Sequence, residues 1–161
     1  MMFGLRHFGV VAAAAALVAA PSAHADPGDG IAINGTYTAF SDGVWAKTDD
    51  SYHDERSVTQ TWTVTSACST YQDCTGRVTS DQGWSADLVY LSGRWKVTRP
   101  VDNWEGCGDG TVLSGQQTFT FWKGYPDPAL QGWDTTLGPS GACGKNKQLN
   151  IQMPFTLTPV G

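Results

Sequence analysis

A short glycine-rich stretch is the closest that this sequence comes to a catalytic motif. Gly138–Ala142 reads GPSGA and differs from the nucleophile elbow G-x-S-x-G only at its last position. An elbow places its serine between a buried strand and a helix, and the serine needs a histidine base. Ser140 instead lies in a glycine-rich loop beside Cys143. We therefore interpret this stretch as a turn anchored by a disulfide.

The polar segment Lys47–Ser57 contains a second set of reactive side chains. Ser51, His53 and Asp54 have the residue types of a catalytic triad, but they are almost adjacent in the chain. The members of a triad are brought together from separate elements. The carboxylates of this segment could ligate calcium, yet their order matches no EF-hand loop and the turn glycine is missing. We interpret the segment as a solvated loop.

Two carboxylates, Asp102 and Glu105, have the chemistry of a glycosidase pair. The members of such a pair face each other across a cleft, about 5–10 Å apart. Closeness in sequence does not predict that geometry, so no catalytic residue is assigned. A carboxylate-dependent hydrolase acting on envelope polymers is kept as an alternative function.

Tryptophan is unusually frequent, with 7 in the chain. Three lie in strand patterns or at a corner, where they would supply apolar area to a small core: Trp62, Trp84 and Trp95. Four are harder to place inside: Trp45, Trp104, Trp122 and Trp133. Indoles in loops or on outer faces stack on sugar rings and apolar ligands, or they cover the ends of a barrel.

The elements that must position these residues are short strands. In Val58–Ser66 threonines at every second position alternate with Val58, Trp62 and Val64, with Gln60 and Ser66 among them, the pattern of a half-buried strand. After a cysteine-bracketed turn, Thr75–Ser80 resumes the pattern, and other segments follow it too: Gly35–Ser41, Val44–Thr48, Ser85–Leu91, Arg94–Arg99, Gln116–Lys123 and Leu149–Thr158. Without helical periodicity or internal repeats, residues 26–161 are predicted to form a single all-β domain, an antiparallel β-barrel or β-sandwich of about seven strands.

All 4 cysteines are predicted to form disulfides. Four cysteines allow three connectivities. Cys68 and Cys74 bracket a hairpin turn and are expected to pair, which leaves Cys107 and Cys143 for the second bond. The C-x5-C spacing of the first pair differs from the C-x-x-C of redox motifs. We expect loss of the second bond to be more destabilising, because it closes the longer loop.

The second disulfide determines the predicted ligand site. Pro100–Gly115 and Gly124–Lys147 are predicted as long loops that leave the strand Gln116–Lys123 from opposite ends, about 25 Å apart. One loop must then fold back along the sheet, and the last strand would run parallel to Gln116–Lys123, which favours a sandwich. Because the bond joins the two loops, Trp104 and Trp133 are expected to form an apolar platform with an acidic rim. The rim residues are Asp102, Glu105 and Asp134.

The first residues and the overall charge indicate the compartment and the partners. Residues 1–25 combine a basic start, the apolar run Phe8–Ala20 and the small-residue sequence Ala23–Ala25, so we predict a signal peptide and a mature chain from Asp26. The apolar run is too short to span a bilayer, and no later stretch is apolar enough. The formal net charge of −5 argues against nucleic-acid and anionic-membrane partners. His53 is the only histidine after residue 25, so no metal or other cofactor is expected.

Six motifs are shared with a group of proteins: TWTVTSACS, DCTGRVTSDQGW, SGRWKVTR, NWEGC, LGPSGACG and MPFTL. In these motifs the chain resembles small exported proteins of mycobacteria and related actinobacteria. The resemblance covers most of residues 26–161 and all 4 cysteines. It implies an exported actinobacterial protein with a disulfide-braced fold. It transfers no catalytic residue, because the group has no assigned activity.

These features predict a non-catalytic binding module of the cell envelope or the extracellular space. Its ligand would be a small apolar molecule or a saccharide, or it would bind a protein partner. A structural or antigenic surface protein is a further alternative to the hydrolase. An apolar cavity would favour binding, whereas two facing carboxylates, one with a raised pKa, would favour an enzyme.

Overall fold

The computed structural model describes residues 25–124 and 126–161, so the predicted signal peptide lies outside the described residues except for Ala25. Within them the chain forms a 10-stranded sheet. The strands are β1 (Gly35–Ser41), β2 (Lys47–Thr48), β3 (Ser51–Tyr52), β4 (Val58–Cys68), β5 (Cys74–Ser80), β6 (Ser85–Leu91), β7 (Arg94–Gly106), β8 (Val112–Lys123), β9 (Leu130–Leu137) and β10 (Asn150–Pro159). Two short 3-10 helices, Gly43–Trp45 and Ala142–Gly144, lie in connections.

The sheet closes on itself as an antiparallel barrel. From β4 to β10 each strand pairs with the next in the chain, and β1 pairs with both β4 and β10. Eight strands therefore form a closed up-and-down barrel, and the short β2–β3 hairpin extends from β10. The prediction of an all-β barrel or sandwich is confirmed, and the closure is that of the barrel.

The barrel interior is filled by large side chains. Successive residues of a strand point to opposite faces, and in β4 every second residue from Gln60 to Val64 is buried, as the sequence predicts. Trp62 is fully buried and packs edge-on against Phe119, with ring centroids 4.9 Å apart. Phe121 and Phe155 complete this aromatic cluster. The middle of the barrel is thus a packed core, and the cavities among the described residues lie at its two ends.

The first of the two predicted long loops, Pro100–Gly115, consists mostly of strand instead. β7 continues through Pro100 to Gly106, and β8 begins at Val112, so most of Pro100–Gly115 is a hairpin. β7 pairs with β6 only over Arg94–Val97, so Pro100 has a partner strand on one side alone, where proline is tolerated.

The predicted loop Gly124–Lys147 contains β9, which pairs with β8 and β10. β8 and β10 do run in the same direction, but β9 lies between them and keeps the meander. The preference for a sandwich was therefore wrong. The predicted strand Val44–Thr48 is also replaced, by the 3-10 helix Gly43–Trp45 and the short β2.

Both predicted disulfides are present, one at each end of the barrel. Cys68–Cys74 joins β4 to β5 at the end where β1 and β7 begin, which we call the Tyr90 end. Cys107–Cys143 joins the β7–β8 turn to the β9–β10 connection at the opposite end, which we call the Asp134 end. In the described residues no helix has the length and apolarity needed to cross a membrane.

Candidate functional site

An apolar cavity of about 630 Å³ lies at the Tyr90 end. One wall is the segment before β1, with Ile31 and Ile33, and the opposite walls come from the ends of several strands. The other main apolar lining residues are Tyr37, Tyr90, Trp95, Trp122, Pro128, Leu130 and Pro159. Lys123 and Asp127 are the charged side chains among its lining residues. Its size and apolar lining are those of small-molecule sites in general.

Hydrogen bonds hold the wall before β1 against the barrel. The amide of Ile33 donates to Ser66 Oγ at 2.9 Å, and that hydroxyl donates to the Ile33 carbonyl at 2.8 Å. The amide of Ser66 donates to Asn34 Oδ1 at 2.7 Å. The wall is thereby attached to β4, although its residues belong to no strand.

Aromatic side chains determine the shape of this cavity. Tyr90 packs on buried Trp95 with ring centroids 4.9 Å apart, and the Arg94 guanidinium lies 5.2 Å from the Trp122 ring. Tyr37 is also buried, and burial raises the pKa of its hydroxyl. The cavity therefore presents rigid ring faces, with a phenol that stays neutral at physiological pH.

The Asp134 end has the opposite chemistry, with a polar cluster inside the barrel. Asp134 is 5% exposed, and its Oδ2 accepts a hydrogen bond from Ser41 Oγ at 2.7 Å. Gln117 Nε2 donates to both carboxylate oxygens of Asp134, at 2.8 and 3.0 Å. Gln117 Oε1 in turn accepts from Arg99 Nε at 2.8 Å. The guanidinium of Arg99 lies 4.7 Å from the Trp84 ring.

Burial dominates the ionisation of this cluster. It raises the pKa of Asp134, although hydrogen bonds from Ser41 and Gln117 and the charge of Arg99 act in the other direction. Burial likewise lowers the pKa of Arg99, against the nearby charges of Asp134 and Asp102. A group whose folded pKa is raised makes its stabilising contribution at low pH and loses it as the pH rises.

Replacing Asp134 by asparagine is expected to change how stability depends on pH. Below the ordinary carboxyl pKa of 3.8 both versions are neutral at this site. As the pH rises through the raised folded pKa, only the wild type acquires a buried charge. The free energy of unfolding of wild type minus that of Asp134→Asn should therefore fall with rising pH, by about 1.4 kcal/mol per unit of pKa rise.

Urea unfolding of both proteins from about pH 3 to pH 8 measures this difference. Asp87→Asn is the matched control, because Asp87 is exposed in an ion pair with Arg77 and its side chain is 84% accessible. A wild-type-minus-variant difference that stays constant over the whole range would contradict the assignment of a raised pKa to Asp134.

The structure separates the residues of the predicted platform. Trp133 is 40% exposed, and it neighbours buried Asp134 in β9, so the two side chains point to opposite faces of the barrel wall. Trp104 packs on the inward-facing Gly115, next to Thr136. The two indoles therefore lie on different faces of the wall, whereas Trp104 and Asp134 line the same small cavity.

The other two rim residues have different surroundings. Asp102 is exposed and accepts a hydrogen bond from Ser114 Oγ at 3.3 Å. Glu105 is 6% exposed and packs against Gly138, and its Oε2 has no hydrogen-bond partner among the described residues. Its Oε1 lies 3.8 Å from the Cys143 sulfur, which has no proton to donate because it is in the disulfide. Glu105 is not among the residues that line a cavity with Asp134.

A β-bulge explains the position of Trp104 and Glu105. The pairing of β7 with β8 shifts between Val101 and Glu105, and Asn103 adopts a left-handed backbone with φ of 52°. Such a bulge redirects the side chains that follow it. A sequence pattern does not indicate this shift, which is why these positions were predicted as loop.

Sequence reasoning missed the remaining members of the polar cluster. Ser41, Gln60, Arg99 and Gln117 each continue the inward phase of a strand whose other inward residues are apolar. These residues could have been identified from the sequence as polar residues at positions that the strand pattern directs into the barrel. Within the described residues, no group of three or more His, Cys, Asp and Glu side chains is arranged to hold a metal ion.

The strand order and the buried aromatic residues place the chain among closed, up-and-down β-barrels with a filled interior. No protein-family model matches the sequence, and no curated protein matches it. The chain is similar in structure to the monomeric form of the PknI sensor domain of M. tuberculosis, with a TM-score of 0.61 and 16% sequence identity. The similarity covers 81% of this chain and 89% of that chain. At this identity the two proteins share a fold, and the neighbour is mycobacterial.

Proposed function

We propose that this protein is a non-catalytic ligand-binding module, and that its main site is the apolar cavity at the Tyr90 end. The observation that carries the proposal is the cavity of about 630 Å³, which aromatic and aliphatic side chains line. Cavities of this size and composition are the usual sites of small ligands. The fold shared with a domain named as a sensor is consistent with a binding role.

The ligand class follows from the cavity lining. Apolar surface buried against the rings contributes about 25 cal/mol per Å², so an aliphatic chain or a fused ring would fill the cavity favourably. Lys123 and Asp127 give the lining one charge of each sign, so no net charge is required of the ligand. We propose an uncharged or weakly polar amphiphile.

We also propose that the chain acts outside the cytoplasm. The two disulfides are typical of proteins in oxidising compartments. In this proposal residues 1–25 are a signal peptide, the mature chain begins at Asp26 and forms one domain, and the site is presented in the cell envelope or the extracellular space. This proposal gives no binding role to Trp133, which points to the outer face, or to Asp102, which is exposed at the bulge.

Trp122→Ala is expected to weaken binding of an uncharged amphiphile about tenfold. Loss of about 60 Å² of ligand contact with the indole corresponds to about 1.5 kcal/mol, or a factor of about ten in Kd. Calorimetric titration with monolauroylglycerol, below its micelle concentration, measures the Kd of the wild type and the variant.

Trp133→Ala is the matched control, since Trp133 shares a face of the wall with Trp122 in the neighbouring strand but does not line the cavity. It should leave the Kd unchanged. Equal affinity of the wild type and Trp122→Ala would exclude the Tyr90-end cavity as the site. Absence of binding by amphiphiles of any chain length would favour the structural surface protein.

A further inference from the structure

The polar side chains inside the barrel are concentrated at the Asp134 end. Among the described residues the buried polar or charged side chains are Ser41, Gln60, Ser80, Glu105, Asp134 and Thr136. The Tyr90 half of the interior is apolar and aromatic. Burial of polar groups costs free energy unless they are hydrogen-bonded, and such groups concentrate at functional sites.

A second cavity, of about 210 Å³, opens among these side chains. Gln60, Arg99, Gln117 and Asp134 give it a polar lining, and Trp104 provides an indole wall. The volume is below that of typical sites for drug-sized ligands, so the cavity suits one compact molecule. An aromatic face beside several hydrogen-bonding side chains is the arrangement that a sugar ring requires, because the ring has apolar C–H faces and a polar edge.

Gln60 directs unpaired donors into this cavity. Its Oε1 accepts hydrogen bonds from Trp62 Nε1 at 3.1 Å and from Ser80 Oγ at 2.7 Å. Since an indole nitrogen can only donate, these bonds determine which way the amide points. Gln60 is 6% exposed, and in the described part of the chain its Nε2 has no hydrogen-bond partner. The amide nitrogen of Gln60 thus remains available to a ligand.

Arg99 adds further donors next to Gln60. Its Nε donates a hydrogen bond to Gln117 Oε1, and one face of the guanidinium lies on the Trp84 ring. The two terminal Nη groups have no hydrogen-bond partner among residues 25–124 and 126–161. Gln117 already makes hydrogen bonds through both ends of its amide, because its nitrogen donates to Asp134 and its carbonyl accepts from Arg99. The cavity therefore offers donors from two rigidly held side chains.

The charges around the cavity argue for a neutral ligand. Arg99 is the one cationic side chain in its lining, and Asp134 and Glu55 are the two carboxylates. A small anion would pair with Arg99 but would face both carboxylates, and an ammonium group would meet the unpaired donors. Hydroxyl groups both accept and donate, so they satisfy the Arg99 and Gln60 donors and can also donate to Glu55.

We propose that the Asp134-end cavity binds one neutral saccharide ring, stacked on Trp104 and hydrogen-bonded by Arg99 and Gln60. The ring could be a free monosaccharide or the terminal residue of a longer glycan, since both present the same groups. This site is separate from the apolar cavity at the Tyr90 end. A negative result at one cavity therefore does not contradict the proposal for the other.

NMR of the ¹⁵N-labelled protein can test both the site and the ligand source. The seven indole N–H resonances, assigned by single Trp→Phe variants, report on both ends of the barrel. Addition of methyl glucoside, N-acetylglucosamine or chitobiose should shift the resonance of Trp104 and leave that of Trp122 unchanged. Monosaccharides that bind as tightly as chitobiose would indicate a free sugar, and tighter binding of the disaccharide would indicate a glycan terminus.

Two variants should weaken this binding at least tenfold in Kd. Arg99→Lys keeps the charge but loses the guanidinium fork. Gln60→Glu keeps the oxygen that accepts from Trp62 and Ser80 but removes the donors. Trp104→Phe, which keeps an aromatic ring, should weaken binding less. Trp133→Phe on the outer face is the matched control and should bind as the wild type does.

Several outcomes would overturn the proposal. They are absence of any Trp104 shift with all three sugars, shifts confined to Trp122 or Trp133, and acetate binding in preference to the sugars. Retention of saccharide affinity by both Arg99→Lys and Gln60→Glu would also overturn it, provided that the dispersed indole resonances show each variant to be folded.

Discussion

Replacing Cys107 and Cys143 by serine is expected to lower the free energy of unfolding by about 4 kcal/mol. The bond spans a sequence separation of 36 residues, and in the chain-entropy model the stabilisation grows with the logarithm of the loop length. A domain of this size has a total stability of only about 5–15 kcal/mol. The double variant should therefore unfold at a much lower urea concentration than the wild type.

The first disulfide is the natural comparison. Cys68–Cys74 spans a separation of 6 residues, so the same model gives about 2 kcal/mol for the corresponding double serine variant. The paired side chains of β4 and β5 would still hold that hairpin together. Urea unfolding of the two variants under identical conditions measures the order of the effects. A larger loss for Cys68–Cys74 would contradict the loop-length argument.

The second disulfide also has a local effect that the entropy model omits. It ties the β7–β8 turn, which follows the bulge with Trp104 and Glu105, to the connection that contains Ala142–Gly144. Its removal should loosen the Asp134 end and leave the Tyr90 end intact. Amide hydrogen exchange should accordingly rise around Glu105 before it rises around Tyr90.

The strands that could be predicted from sequence are those whose inward residues are apolar. β1 and β6 have the predicted bounds, and the phase of β4 and of the end of β8 is as expected. Alternation is a local signal, because side chains on a strand point to opposite faces whatever the remainder of the chain does. The hairpin at Cys68–Cys74 was predicted for the same reason.

β9 could not be found in this way. Its inward residues include Gly132, Asp134 and Thr136, so LQGWDTTL lacks the apolar alternation of a half-buried strand. The missing hydrophobic signal has a physical cause, since Asp134 and Thr136 line the polar cavity and Asp134 hydrogen-bonds to Ser41 and Gln117. The polar residues of the candidate site therefore removed the sequence signal of β9, and without β9 the predicted topology was wrong.

The candidate sites themselves depend on contacts between distant segments. The cavity at the Tyr90 end needs Ile31 and Ile33, and Ser66 holds Ile33 against β4 from 33 positions away in the chain. The polar cavity needs a bulge that redirects Trp104. Sequence supplied the residue types, namely indoles and carboxylates, but not which of them meet. Trp104 and Asp134 do line one cavity, whereas Trp133 points away from it.

The filled interior limits what the barrel can bind. Trp62, Phe119, Phe121 and Phe155 occupy its middle, so neither end can extend a ligand through to the other. Trp62 connects the two halves physically. Its ring contacts the aromatic cluster, and its Nε1 donates to Gln60, the residue whose amide faces the polar cavity. A change at Trp62 should therefore affect both stability and the polar site.

Trp62→Ala is expected to lower the free energy of unfolding by about 3–5 kcal/mol, the range for a large aromatic residue truncated in a core. The ring centroid of Trp62 lies 5.5, 4.9 and 5.4 Å from those of Trp84, Phe119 and Phe155, so its removal leaves a cavity that fixed strands cannot close. Urea unfolding at low temperature, where the variant is still folded, measures the loss.

Two further variants separate the contributions of Trp62. Trp62→Phe keeps a ring but removes the donor to Gln60 Oε1, so its cost should be smaller, about 1–2 kcal/mol for one buried hydrogen bond and a small cavity. Trp133→Ala removes an indole that is 40% exposed and should cost less than 1 kcal/mol. The hollow Trp62→Ala barrel should also bind benzene, because apolar cavities stay dry and admit apolar guests. If Trp62→Ala cost no more than Trp133→Ala, or bound no benzene, the centre of the barrel would not be the rigid core that separates its two candidate sites.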